Sequence, residues 1–263
     1  MTTALSAALG PDVDASGLLD VVAEQPDPLI FATVSGAHLY GFPSRDSDVD
    51  LRGVHLLPVT ALIGLREPEE TRTRGGYLPG GVEMDLVTHD LRKFVRLMLR
   101  RNGYVLEQLL SPLVAHTSDA HAELVALAPA VLTSQHAHHY RGFAGTQWRL
   151  FEKTDELKPL LYTFRALLTG IHLMRSGEVQ AHLPTLLGEV PEAPGYLPEL
   201  IEAKAAAEHG AADVSVERVK DDVEALHAVL DEAQAGSALA DAAGGLDALH
   251  DFVVRTRLDV AQG

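Results

Sequence analysis

The sequence predicts an α+β protein with its strands gathered near the N-terminus and helices through the remainder. Before Asp90, three stretches of apolar or alternating residues are bounded by glycine and proline, the pattern of short strands. From Asp90 onward, apolar residues recur at helical spacing. The 263 residues are 46% hydrophobic, enough for two modest domains with real cores. The change of period places a strand-bearing domain over residues 1–115 and an all-α domain over 116–263.

The first strand is "PLIFATVSG", β-branched and apolar between Pro28 and Gly36. A short helical turn through "AHLYGF" follows. "DVDLRGVHLLP" is the second strand, with Asp48, Asp50 and Arg52 on one face and Val49 and Leu51 on the other. "RTRGGYLPGG" reads as a hairpin-like turn region, and "GGVEMDLVTHD" as the third strand, on which Glu83, Asp85 and Val87 share a face. "HDLRKFVRLMLRRNGY" reads as one amphipathic helix, with Arg92, Arg96 and Arg100 along one side. "SPLVAHTSDAHAEL" is a linker or short strand leading into a helix capped by Ser118 or Asp119. Helices are then expected near Thr133 to Phe151, Glu156 to Ser176, Leu197 to His209, Ser215 to Ala235 and Gly245 to Ala261. Pro184, Pro191, Pro194 and Pro198 mark an irregular connection among them.

With 37 acidic against 21 basic side chains, the formal charge of −16 opposes sequence-independent attraction to a polyanion. A nucleic-acid contact therefore needs a local patch, for which Arg92, Arg96 and Arg100 are the candidates; the alternative is a solvated basic face. Without cysteine the chain has no disulfide, thiol nucleophile or cysteine zinc site. It has no run of about 18 apolar residues, and its opening lacks both a basic start and a continuous apolar centre. A cytoplasmic protein without a membrane span is expected; the oligomeric state is not encoded in any motif.

The chemistry is concentrated in "SGAHLYGFPSRDSDVDLRGV", Ser35 to Val54. Two carboxylates on one strand face, with a third on a neighbouring strand, make an oxygen-rich site for Mg²⁺ or Mn²⁺; Asp48, Asp50 and Asp85 supply them. Crowded carboxylates repel unless a cation sits among them, and such metals commonly serve phosphoryl or nucleotidyl transfer. Gly36 brings backbone N–H groups close to a phosphate. Arg52 either pairs with the carboxylates or reaches a phosphate.

These residues carry a resemblance. The apolar strand, Ser-Gly-Ala, "YG", "SDVDLRGV" and "EMDL" followed by a basic helix resemble the DNA polymerase β superfamily of nucleotidyltransferases, and more closely those associated with RNA ligase and RNA repair. The resemblance covers Phe31 to Gln108 strongly and thins toward Ser176. It implies an N-terminal domain of mixed sheet and flanking helices, with Asp48, Asp50 and Asp85 as metal ligands and Ser35 and Gly36 in the phosphate-binding turn. It favours Asp85 over Glu83 as third acid, because the motif puts that acid directly before an apolar pair, here "LV". The implied reaction is transfer of a nucleoside monophosphate from an NTP, ATP favoured, to a hydroxyl such as an RNA end, releasing pyrophosphate. Ala37 stands where the superfamily usually has serine, leaving backbone groups, Ser35 or Ser47 to hold the phosphate. That departure keeps a catalytically weak nucleotide-binding module as an alternative, and the net charge keeps a protein or small-molecule acceptor as another.

In the helical part, Lys158, Tyr162 and Arg165 fall on one helix face, and related enzymes draw triphosphate-binding cations from such a domain; Lys158 and Arg165 are the expected ones, the alternative being salt bridges to neighbouring acidic helices. His136, His138 and His139 lack the i, i+4 spacing of a helical zinc pair and read as solvent-exposed. His38, beside the glycine turn, contacts nucleotide or acceptor, or simply packs.

Overall fold

The computed structural model describes residues 15–206 and 215–261, together with residues 5, 6, 9, 10 and 13. Two compact units emerge, interleaved in sequence: one comprises Met1–His38, Asp48–Val131 and Ala243–Gly263, the other Leu39–Ser47 and Leu132–Ala242.

The first unit is built on a mixed five-stranded sheet of order β3-β4-β2-β1-β5. The strands are β1 Leu29–Val34, β2 Val49–His55, β3 Thr71–Tyr77, β4 Glu83–Asp90 and β5 Val114–His116. β2 and β4 run parallel, whereas β1 with β2, β1 with β5 and β3 with β4 are antiparallel. Ala32, Val34, Val49, Leu51, Met84 and Leu86 make one apolar face, packed with Leu18 and Val21 of the helix Ala15–Ala23. Sequence alternation therefore sends Asp50, Arg52 and Asp85 to the opposite face.

Three expectations change here. The stretch read as a hairpin-like turn is mostly a strand: β3 pairs with β4, and the turn is confined to Leu78–Gly81, where Gly80 and Gly81 have φ of +94° and +83°. An edge strand is held by backbone bonds and salt bridges, here Arg72 to Asp27 at 2.6 Å and Arg74 to Glu24 at 2.6 Å, so it needs no apolar face to announce it. The basic helix is also shorter than expected. It spans Leu91–Met98, Asn102 caps a new helix Gly103–Leu109 through Tyr104 N at 3.1 Å, and Arg100 falls in the connection. Pro184 lies inside the first turn of a helix, Leu183–Glu189, where its missing N–H costs nothing.

The final helix, Leu246–Ala261, belongs to the first unit. Arg257 reaches the buried Asp90 through two bonds of 2.7 and 2.8 Å and donates to the Leu57 carbonyl at 2.8 Å. Asp90 also caps the helix Leu91–Met98 through Arg92 N at 2.9 Å.

The second unit is helical, with Ala137–Thr154, Leu157–Ser176, Leu197–Ala206 and Val216–Ala235 as its main elements. The expected extension to His209 lies outside the described residues. Leu157–Ser176 is its core, buried at fifteen positions that include Leu160, Phe164, Leu167 and Ile171. His136 corrects the reading of exposed histidines: it is 1% exposed in a one-turn helix, with Nδ1 3.2 Å from Thr133 N, while His138 stays exposed. Burial pushes the His136 pKa down to about 4. No described helix is long and apolar enough to cross a membrane.

Candidate functional site

The parallel pairing of β2 and β4 sets Asp50 level with Asp85. Adjacent strands lie about 5 Å apart, so the two carboxylates are neighbours on the face away from the N-terminal helix. Glu83 is exposed two residues earlier, and the register gives the place beside Asp50 to Asp85. Asp48 is exposed in the segment entering β2.

Arg52 lies between the two neighbouring acids. Its Nη2 meets Asp50 Oδ1 at 2.6 Å and its Nη1 is 3.3 Å from Asp85 Oδ2. Nη1 also donates to the carbonyls of Leu51 at 2.8 Å and Asp85 at 2.9 Å. Of the two roles open to Arg52, this is the pairing with carboxylates.

The glycine turn adjoins the same acids. Ser35 N donates to the Asp50 carbonyl at 2.8 Å, which commits that amide to the sheet. Gly36 follows with φ of +62°, at the start of the short helix Gly36–Tyr40. A β-carbon here would overlap Asp50 Oδ2 and stand 2.8 Å from its Cγ, so both conformation and space require glycine. Ala37 and His38 are buried at 7% exposure. The His38 ring bonds the Asp48 backbone and leaves Nδ1 without a partner. Its pKa is lowered because burial outweighs the attraction of Asp50 and Asp48.

The structure thus gathers Ser35, Gly36, Ala37, His38, Asp48, Asp50 and Asp85 in the first unit. Ser47, Lys158 and Arg165 belong to the second. Ser47 Oγ accepts from Ser44 N at 2.9 Å and lies 3.0 Å from Ser44 Oγ. Lys204, 1% exposed, donates to Ser44 Oγ at 3.0 Å. Sequence reasoning passed over Lys204, although its spacing from Leu197 and Leu200 puts it on the buried face of its helix. Lys158 is exposed. Arg165 is buried, its guanidinium 4.0 Å from the centre of the Tyr40 ring, with Phe143 and Tyr162 at 5.5 and 6.0 Å.

Arg92 and Arg96 do not form a free basic stripe. Both turn to Glu70, at 2.9 and 4.0 Å, and both line a cavity of about 440 Å³ that is otherwise largely apolar, with Val95, Leu99, Leu249 and Val253 in its walls.

Oxygen-only donors of this kind suit a hard divalent cation, and the bridging guanidinium marks a place that already attracts positive charge. Among the described residues no three acidic or histidine side chains converge as a metal site.

A mixed five-stranded sheet with helices, accompanied by a helical region, is the fold of a nucleotidyltransferase-like protein of the polymerase-beta superfamily. The chain belongs to the RNA repair pathway DNA polymerase beta family, whose model matches residues 12–255. An uncharacterized protein of Methanocaldococcus jannaschii is 33% identical over 170 residues, 62% of this chain and 66% of that one, so the chain spans slightly less than two thirds of that relative. Uncharacterized protein YcgL of Bacillus subtilis is 24% identical over 184 residues, 67% of this chain and 69% of that one. A nucleotidyltransferase-like protein from Exiguobacterium sibiricum, solved by crystallography, aligns over 93% of this chain and 80% of its own at 11% identity, with a TM-score of 0.32.

Proposed function

We propose that the protein transfers a nucleoside monophosphate from an NTP, with ATP favoured, to a hydroxyl acceptor and releases pyrophosphate. The observation that carries this reading is the in-register pair Asp50 and Asp85 against the Gly36 turn, in a chain of the RNA repair polymerase-beta family. Asp50 and Asp85 would hold Mg²⁺ or Mn²⁺, with Asp48, exposed in the segment entering β2, drawn in as the third ligand only when the ion is present. Such an ion supplies Lewis acidity toward phosphoryl oxygens and favours the deprotonated acceptor hydroxyl. The residues of the chain do the positioning. Gly36 lets Asp50 approach the turn, and the sheet register holds Asp85 beside it. Ala37 offers a phosphate its backbone and no hydroxyl.

Family membership favours an RNA end as acceptor. The charge of −16, and the engagement of Arg92 and Arg96 with Glu70, favour a protein or small molecule instead. Labelled NTPs incubated with tRNA, with nicked RNA or with whole lysate show which species takes the label. Asp50→Asn and Asp48→Asn are expected to abolish label transfer and pyrophosphate release while the protein remains folded. Wild-type turnover in either variant would remove that residue from the site. NTP binding without pyrophosphate release for any acceptor would leave a nucleotide-binding module.

A further inference from the structure

We propose that Arg52 is the built-in counter-cation of the carboxylate pair, and that it sets the concentration at which a divalent cation enters the site. The proposal rests on the metal-dependent reading above and assigns a role to a residue outside the acid set. Four contacts support it. Nη2 meets Asp50 Oδ1 at 2.6 Å, Nη1 approaches Asp85 Oδ2 at 3.3 Å, and Nη1 donates to the Leu51 and Asp85 carbonyls at 2.8 and 2.9 Å.

The two kinds of contact do different work. The carbonyl bonds anchor one edge of the guanidinium to the backbone of β2 and β4, so the charge cannot leave with a simple rotation of the side chain. The carboxylate contacts neutralise two acids that the parallel register forces together. A divalent cation needs the same oxygens. It therefore competes with a tethered cation that water and salt cannot displace as easily as a mobile counter-ion. Arg52 is a positioning residue here: it keeps Asp50 and Asp85 side by side before the cation arrives and yields carboxylate oxygens when it does. The side chains of Arg52, Asp50 and Asp85 are 20%, 31% and 48% exposed, which leaves the oxygens within reach of an entering ion.

The test uses Mn²⁺ alone, without nucleotide, on the full chain. Binding is followed by electron paramagnetic resonance of free Mn²⁺, and stability by thermal unfolding with and without the ion. Arg52→Gln retains a donor for the backbone carbonyls and loses the charge. It is expected to bind Mn²⁺ roughly tenfold more tightly or better, since a competing unit charge within about 4 Å is removed. It is also expected to melt lower than wild type in chelator and to gain more than wild type from added Mn²⁺. Arg52→Lys, whose single ammonium cannot span both acids and both carbonyls, should fall between the two, and it serves as the measured variant if Arg52→Gln fails to fold. Wild-type binding with equal or weaker Mn²⁺ affinity in the variants would overturn the counter-cation role and leave the enzymatic reading intact. Absence of Mn²⁺ binding in wild type and variants alike would also overturn the counter-cation role, whereas the enzymatic reading stands or falls on label transfer and pyrophosphate release with nucleotide present.

Discussion

Replacing Gly36 by alanine tests the local architecture of the site most directly. The added β-carbon meets the Asp50 carboxylate, 2.8 Å from Cγ and closer still to Oδ2, and it must do so at φ of +62°. A left-handed conformation costs a non-glycine residue about 1–2 kcal/mol. Asp50 must also move, which breaks its 2.6 Å bond to Arg52. A charge-assisted bond is worth about 1.5–3 kcal/mol when shielded. With these side chains 31% and 20% exposed, solvent screening reduces that to about 1 kcal/mol. The sum, about 2–3 kcal/mol, lowers the melting temperature by roughly 5–10 °C in a chain of this size. Circular dichroism melts measure it. The control is Gly36→Ala in an Asp50→Ala background, where the carboxylate is gone and a 3.1 Å contact with the β-carbon of residue 50 is the tightest left, so the loss should fall toward the conformational cost of about 1–2 kcal/mol. Equal losses in both backgrounds would refute the claim that Asp50 is what excludes a side chain at position 36.

Other perturbations follow from the same geometry. Arg257→Ala strands the buried Asp90 carboxylate and should cost about 3–5 kcal/mol, read as a fall in denaturant midpoint; a change below 1 kcal/mol, roughly the worth of a surface pair, would show that the last helix is not locked by this bond. Arg165→Ala removes a desolvated cation from the Tyr40, Phe143 and Tyr162 rings and should cost about 2–4 kcal/mol; weakened nucleotide binding with an unchanged melting temperature would instead make Arg165 a ligand contact. Two neutral histidines, His136 buried and His89 half-buried, should make the fold acid-sensitive. His136 and His89, with pKa values lowered to about 4 by burial, bind fewer protons folded than unfolded between their folded values and about 6.5, so stability is full above that window and falls as pH drops through it. His136→Asn, which keeps an acceptor for Thr133 N, should flatten the acid limb of a melting-temperature profile; an unchanged slope would rule out His136 as a contributor.

Much of the site was legible in the chain because its grammar is local. Alternation in "DVDLRGV" and "EMDLV" already separates the acids from the apolar face, since side chains on a strand change sides at every residue. The glycine turn is equally readable, and the helix from Leu157 to Ser176 begins within a residue of where its periodicity predicts. Ser118 caps its helix as its type and place suggest, accepting from His121 N at 3.2 Å.

What only the tertiary structure decided depends on pairing across long stretches of chain. Composition does not determine strand register, yet register is what sets Asp85 rather than Glu83 beside Asp50 and brings Arg52 between them. The strand Thr71–Tyr77 is polar on both sides and owes its structure to a partner, so its own residues could not reveal it. Arg92 and Arg96 look like a basic stripe until Glu70, distant in sequence, is folded against them. Arg165 reads as a cation for a triphosphate and Lys204 attracts no notice, because a cation's burial is not written in its own residue; aromatic rings in one case and a serine hydroxyl in the other make that burial tolerable. A single cut near residue 115 follows the change from strand to helix, whereas compactness follows contacts. The Arg257–Asp90 bond, 167 residues apart, holds the last helix with the sheet because a buried charge must be met by its partner wherever the chain supplies it.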